Sequence, residues 1–392
     1  MKKIYSLAIL AAACLGMASC SDDKGEATQL STIKVLSAET SFESLADTGK
    51  VVLDCNPVKA YVGKDDQEWL DVQIDQNTVN LYAKLNGSSE SRNALLTIKK
   101  SENDSIQLNV DQKGLVFIVE NKADIVLYDD ESHEYTYKVQ SAVDGKILSA
   151  PSWVEASMNK EQIDVKISAN NEGHMRQGYV KYNCGSIVDS IKVSQYDFDK
   201  DLKGNYLLLT EYDAEKNVYR GYLPVTMGES TMSLEFDYNG QTIQAGFNTS
   251  FDRDNVAFSI SSGQVIASFQ KRNQWTYFHG IFATAGNATL NRQDSNGNLI
   301  FGDESGLITA PMVYDDVRGT YGFFTGDAYN SGGYQGTFAK ILIGAFTNNI
   351  PYQATLIDDS VWAIEGPLVL VKYDSPAAAQ ALKTAKPLSF GK

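Results

Sequence analysis

One module is written twice in this chain. Trp69 and Trp153 stand 84 residues apart, and the same offset carries Val79, Leu81 and Ala83 onto Ile163, Val165 and Ile167. It also carries Asn86 onto Asn170 and Arg92 onto Arg176, and tracts ending in Val110-Asp111-Gln112 and Val193-Ser194-Gln195 close the two copies with a single-residue gap. A repeat of this kind means two copies of one folding unit. Within each copy apolar residues alternate. TVNLYAKL sets Val79, Leu81, Ala83 and Leu85 on one face, and QIDVKISA does the same with Ile163, Val165, Ile167 and Ala169. A period of two is that of a strand burying one side against a second sheet. Asn86-Gly87 and Asn170-Asn171 supply turn residues before LLTIKK and YVKYN resume the pattern. Several short strands in a unit of roughly 80 residues predict a two-sheet sandwich.

Taken together, a WL or WV pair, an alternating strand, an Asn-containing loop, an Arg opening the next strand and a closing V-x-Q resemble the BACON domain (Bacteroidetes-associated carbohydrate-binding, often N-terminal). Trp69-Leu70, Asn86, Arg92 and Gln112 carry the match in the first copy; Trp153-Val154, Asn170, Arg176 and Gln195 carry it in the second. The resemblance implies immunoglobulin-like sandwiches over residues 31–114 and 115–197. The family's name points to carbohydrate, yet many of its members look like spacers. One Trp per copy is either a sugar-stacking platform or a core residue, and its place inside a repeated strand pattern favours the core. Arg92 and Arg176 read as ties from a loop to backbone carbonyls or a carboxylate, not as ligand contacts.

From Asp197 onward the repeat stops. TMSLEFDY alternates with Met232, Leu234, Phe236 and Tyr238 facing one way, and NVAFSIS does so with Val256, Phe258 and Ile260. Turns are marked by Asn239-Gly240, Asn296-Gly297, Ser331-Gly332-Gly333 and Asn348-Asn349, and only AAAQALK reads as helix. One continuous antiparallel barrel or sandwich over residues 198–392 is expected. The chain is therefore read as all-β: two immunoglobulin-like sandwiches followed by a larger antiparallel β-barrel or β-sandwich domain.

The N-terminus supplies an address. Met1, Lys2 and Lys3 form a basic head, and Ile4 to Gly16 are mostly apolar, a run too short for a bilayer core of roughly 30 Å. Ala18-Ser19-Cys20 resembles the lipobox of bacterial lipoproteins. That implies a signal peptide over residues 1–19, acylation of Cys20 and a tether over residues 20–30; several acyl chains anchor stably where one is marginal. Ser21, Asp22, Asp23 and Lys24 resemble the acidic surface-export signal of Bacteroidetes lipoproteins, which places the protein on the outer membrane, lipid-anchored and facing the exterior.

A formal charge of -15 repels phosphate backbones and anionic lipid, which argues against nucleic acid as a partner and against membrane contact beyond the anchor. A highly sulfated ligand would need a local basic patch that the sequence does not display. Cys55 and Cys184 lie in different modules and read as free, buried thiols. His133 and His174 fall in the second sandwich and His279 in the C-terminal domain, with no H-E-x-x-H spacing and no G-x-S-x-G elbow. His279, in TYFHGIF, reads as an edge or core histidine. Asp294, Asn296 and Asn298 take the first, third and fifth places of a calcium loop, but Leu299 stands where glycine belongs, and an Asn-Gly hairpin explains the same letters. The triplets D-S-I at 104–106 and 189–191 and D-S-V at 359–361 resemble the short O-glycosylation motif of these bacteria. No catalytic residue, metal ligand or cofactor site emerges. Paired carboxylates for glycoside hydrolysis are a spatial matter that an acidic sequence does not reveal.

Recognition through aromatics is what remains. Trp275, Tyr277, Tyr321, Tyr329, Tyr334 and Trp362 lie in or near segments ending in Gly- and Asn-rich turns, where rings project from a rigid sheet. Such rings beside amides and carboxylates suit a neutral glycan. Trp275, Tyr277, Tyr329, Tyr334 and Trp362 are the candidate binding residues, with Tyr329 and Tyr334 expected to be the most exposed. The expectation is a surface lipoprotein in which the tandem sandwiches act as spacer and the C-terminal domain binds polysaccharide or oligosaccharide. The rival readings are an adhesion or assembly subunit with an outer-membrane protein partner and, further off, a glycan-directed hydrolase.

Overall fold

A computed structural model of the chain describes residues 31–285, 292–293, 296–297, 299–300, 306–329 and 335–388. Cys20 and its leader, Tyr334, Asp294 and Asn298 lie outside the described residues. The chain divides into two compact units, one ending at Leu115 and the other beginning at Val116.

Both copies of the repeat are two-sheet sandwiches with the same wiring. In the first, Val35–Ala38, Asp47–Leu53, Thr78–Ala83 and Leu70–Asp75 form one sheet; Ser41–Phe42, Asp104–Gln112, Arg92–Ser101 and Lys59–Tyr61 form the other. The opening strand changes sheets midway, pairing antiparallel with Asp47–Leu53 and then parallel with Asp104–Gln112. The second copy repeats this. Phe117–Val119 pairs antiparallel with His133–Ser141, and Ile125–Leu127 runs parallel to Ile187–Gln195. Val79, Leu81, Ala83, Ile163, Val165 and Ile167 are all buried, as their alternation requires. Leu85 and Ala169 are exposed instead, because the strands end at Ala83 and Ile167, before the alternation does.

The repeated polar residues form one node per sandwich. Arg92 donates from Nε and Nη2 to Gln112 Oε1 at 2.9 and 2.7 Å and from Nη2 to the Lys84 carbonyl at 2.8 Å. Its guanidinium lies 4.5 Å from the Trp69 ring centroid. In the second copy Arg176 bonds Gln195 Oε1 and the Ser168 carbonyl, 4.4 Å over Trp153. The asparagines cap the adjoining loops: Asn86 Nδ2 donates to the Glu90 and Lys113 carbonyls, and Asn170 Nδ2 to that of His174. Every buried polar group in the node has a partner, which is why these residue types recur at one spacing.

The C-terminal domain is built from β1 (Gly204–Asp213), β2 (Val218–Met227), β3 (Thr231–Tyr238), β4 (Gln241–Asp252), β5 (Ala257–Ser261), β6 (Gln264–Lys271), β7 (Gln274–Ala283), β8 (Leu307–Asp315), β9 (Gly319–Phe323), β10 (Lys340–Phe346), β11 (Leu356–Glu365) and β12 (Val369–Lys372). Eight of these close an antiparallel ring in the order β5-β4-β3-β2-β1-β12-β9-β8, the β5–β8 pairing completing it. A separate four-stranded sheet, β6-β7-β10-β11, packs one face on the ring's core. The expected antiparallel barrel or sandwich is thus a closed ring with a second sheet packed on it, β6 leaving its neighbour β5 to pair with β7. Phe236, Tyr238 and Phe247 from the ring meet Phe278, Phe282 and Ile343 from the sheet in one apolar cluster. Helix α1 (Pro376–Thr384) starts at Ser375, whose Oγ accepts from the Ala378 amide, with Pro376 in the first turn. It buries Ala378 and Ala381 on the outer face of the ring against Leu207, Leu209, Val369 and Val371.

The second sandwich belongs to the same compact unit as this domain. Tyr196 is wholly buried in the ring's core cluster and donates to the Arg253 carbonyl at 2.8 Å. Tyr128 donates to Asp254 at 2.5 Å, Lys200 pairs with Asp130, and the His174 ring stacks on Tyr314 at 3.4 Å.

Candidate functional site

The β6–β7 hairpin turns on Arg272 and Asn273, with φ of 49° and 64°. Positive φ at both central residues is a type I′ turn, the geometry that matches strand twist. Beside it the β3–β4 hairpin turns on Asn239 and Gly240, with φ of 50° and 73°. The strand ends carrying these tips enclose a cavity of about 280 Å³. Its aromatic part is Tyr238 and Phe269, ring centroids 6.1 Å apart. Trp362 lies edge-on behind Tyr238 at 5.7 Å, and Phe278 does so at 5.1 Å. The rest of the lining is polar: Asn239, Gln241, Gln274 and Thr276 offer amides and a hydroxyl, and Lys271 and Arg272 offer cations.

Strand alternation places a second surface on the outer face of β7. Trp275 and Tyr277 stack with centroids 5.8 Å apart and planes 25° apart, and Trp275 is 45% exposed. Gln270 and Ser268 on β6 stand directly across from them, both exposed. The next outward residue, His279, is 2% exposed, and neither ring nitrogen has a hydrogen-bond partner. Burial pushes its imidazole down to about 4, against a smaller upward pull from the backbone at Asn348 and Asn349. It is therefore neutral at pH 7, packed edge-on to Phe346.

The structure brings Trp275 and Tyr277 together and sets Trp362 apart from them. Trp362 pairs with Ile343 on the inward face, half-buried against the core. Tyr321 is buried under the Arg318 guanidinium, 4.3 Å from its ring. The backbone of Tyr329 ends the strand Thr325–Tyr329, and its side chain lies outside the described residues. Sequence reasoning missed Phe269, Gln241, Gln274 and Arg272. It assigned Tyr238 to the core face, where it is 6% exposed, without seeing that the same ring lines a cavity. Trp69 and Trp153 have their faces under arginines in the sandwich nodes. Among the described residues no group of three or more His, Cys, Asp or Glu side chains is placed to hold a metal.

No protein-family model and no curated protein matches this chain. Among solved structures it is similar to the I9–I11 tandem of titin at 8% identity, covering 63% of this chain and 94% of that one, with a TM-score of 0.30. A three-domain titin fragment, I67–I69, covers 86% of this chain at 10% identity and a TM-score of 0.21, with 98% of its own length matched. An endo-fucoidan hydrolase of glycoside hydrolase family 107 covers 43% of this chain and 34% of its own at 6% identity and a TM-score of 0.19. Likenesses of this size carry nothing about ligand or activity.

Proposed function

We propose that this chain is a lipid-anchored surface protein of the BACON-containing type that captures glycans through the β6–β7 hairpin. The observation that carries the reading is that one hairpin presents recognition surfaces on both faces. Outside is a half-exposed Trp275 stacked on Tyr277; inside is an aromatic cavity rimmed by amides. Pyranose rings expose a C–H face that packs on an indole, and their hydroxyls need donors and acceptors at the edge. An apolar body with a few placed polar groups is the usual composition of a small-molecule site. The rings sit on paired strands, so little ordering is needed on binding. Cys20 supplies the anchor in this reading, and the first sandwich, a compact unit of its own, is the spacer.

The test is affinity electrophoresis of residues 21–392 through gels containing plant and mucin-type polysaccharides. Retardation is expected for at least one polysaccharide, and Trp275→Ala is expected to weaken it by about 2 kcal/mol, roughly thirtyfold, the scale of an aromatic hot spot. If no gel slows the wild-type chain, glycan capture is wrong and a protein partner takes its place. The address is checked by Cys20→Ala, which should move the protein out of the membrane fraction.

A further inference from the structure

We infer that the cavity between the two hairpin tips takes an acidic sugar residue whose carboxylate is held by Arg272 and Lys271, an inference that rests on glycan capture at this hairpin. The charge comes first. In a chain of formal charge -15, two adjacent cations line one small cavity, and neither forms an ion pair with any described residue. In the same domain Arg253 pairs with Glu229 and Arg318 with Asp315.

Backbone geometry is the second, independent observation. Arg272 occupies the first central position of a type I′ turn at φ 49°, where glycine, asparagine and aspartate are favoured and an arginine is strained. The neighbouring hairpin fills the same position with Asn239 and follows it with Gly240. Strain kept at a cavity rim points to a use for the side chain. A planar guanidinium matches a planar carboxylate through two parallel hydrogen bonds, which a neutral sugar does not offer. Two cations suit one carboxylate, whereas a densely sulfated chain needs a broader patch. Tyr238 and Phe269 then meet the sugar ring, and Gln241 and Gln274 its hydroxyls.

The experiment is calorimetric titration of residues 21–392 with digalacturonate and with the same disaccharide after reduction of its carboxyls to neutral alcohols. The acid is expected to bind about fivefold tighter, the scale of a solvent-exposed ion pair. That preference should shrink as salt is raised from 50 to 500 mM, values on either side of roughly 150 mM physiological ionic strength. Arg272→Asn should erase the preference while melting at the same or a higher temperature, which separates lost recognition from lost folding. Equal binding of the two disaccharides, or an unchanged preference in Arg272→Asn, overturns the inference. If neither disaccharide binds while a polysaccharide gel still retards the protein, the inference fails and glycan capture stands. If nothing binds, both fail.

Discussion

At the scale of single residues, the sandwich nodes show why an arginine recurs where it does. Arg176 is 6% exposed, and its fork satisfies Gln195 Oε1 and the Ser168 carbonyl while it covers the Trp153 face. Truncation would leave two buried acceptors without donors, at about 1–3 kcal/mol each, and would remove a cation–π contact. Arg176→Ala is expected to cost about 3 kcal/mol in urea unfolding of the second unit. Arg92→Ala should cost about half that in the first unit, because the Lys84 carbonyl keeps its bond from Gln112 Nε2 and the half-buried site lets water reach Gln112 Oε1. Arg176→Lys should not rescue, since one ammonium does not reproduce the fork. Equal losses at the two sites, or a loss below about 1 kcal/mol at Arg176, would contradict the burial argument. The tie from loop to carbonyl was legible in the repeat. The stacking of Arg on Trp was not, because residues 23 apart in sequence meet only once the sheets are folded.

Among elements, β7 decides most about the C-terminal domain, since its two faces belong to different surroundings. Phe278 and Phe282 enter the core, and Trp275, Tyr277 and His279 face outward. His279 gives this strand a pH signature. In the unfolded chain its imidazole titrates near 6.5, and in the fold burial lowers that to about 4. The unfolded state therefore takes the proton first as pH falls. Stability is unaffected by this group above about pH 6.5 and declines from there to about pH 4, by up to about 3 kcal/mol. Asp201 works in the opposite sense, because burial raises its carboxyl and stability from it is lost as pH rises through the folded value. Comparing wild type with His279→Leu isolates the histidine: the gap in unfolding free energy should widen from pH 7 to pH 4.5 in favour of leucine. A gap that stays constant would show that His279 is solvated in the native state. The alternation of β3 was plain in the letters MSLEFDY, since every second residue is buried there. The closure of β5 onto β8 was not, because that pairing joins Ile260 to Ile308 across an intervening hairpin. Nor was the face of Trp362, which follows from its register with Ile343. The decisive turn was hidden too, since Arg272-Asn273 contains none of the glycine that marks such turns in a sequence.

For the whole molecule, the division into two compact units falls at Leu115. The first sandwich has its own closed core around Val51, Leu81, Leu96 and Val110. The second has a core around Val165, Val180 and Val193 and in addition shares buried residues with the ring: Met175 and Tyr196 lie in the ring's cluster, and the Arg253 carbonyl is bonded by Tyr196. Removing the second sandwich would strip cover from Phe198 and Phe251, which pack around these residues, and would orphan that carbonyl. Residues 116–392 are therefore expected to melt as they do within residues 21–392, and residues 21–115 to fold alone with a separate calorimetric transition. Residues 198–392 should melt several degrees lower than residues 116–392, since about 1 kcal/mol moves the midpoint by roughly 2–4 °C at this size. Identical melting of the last two would mean that the sandwich merely leans on the ring. A lower midpoint would mean that ligand binding has to be measured with the second sandwich attached, because the Asp252-to-Val256 loop between β4 and β5 otherwise loses its bonds from Tyr196 and Tyr128.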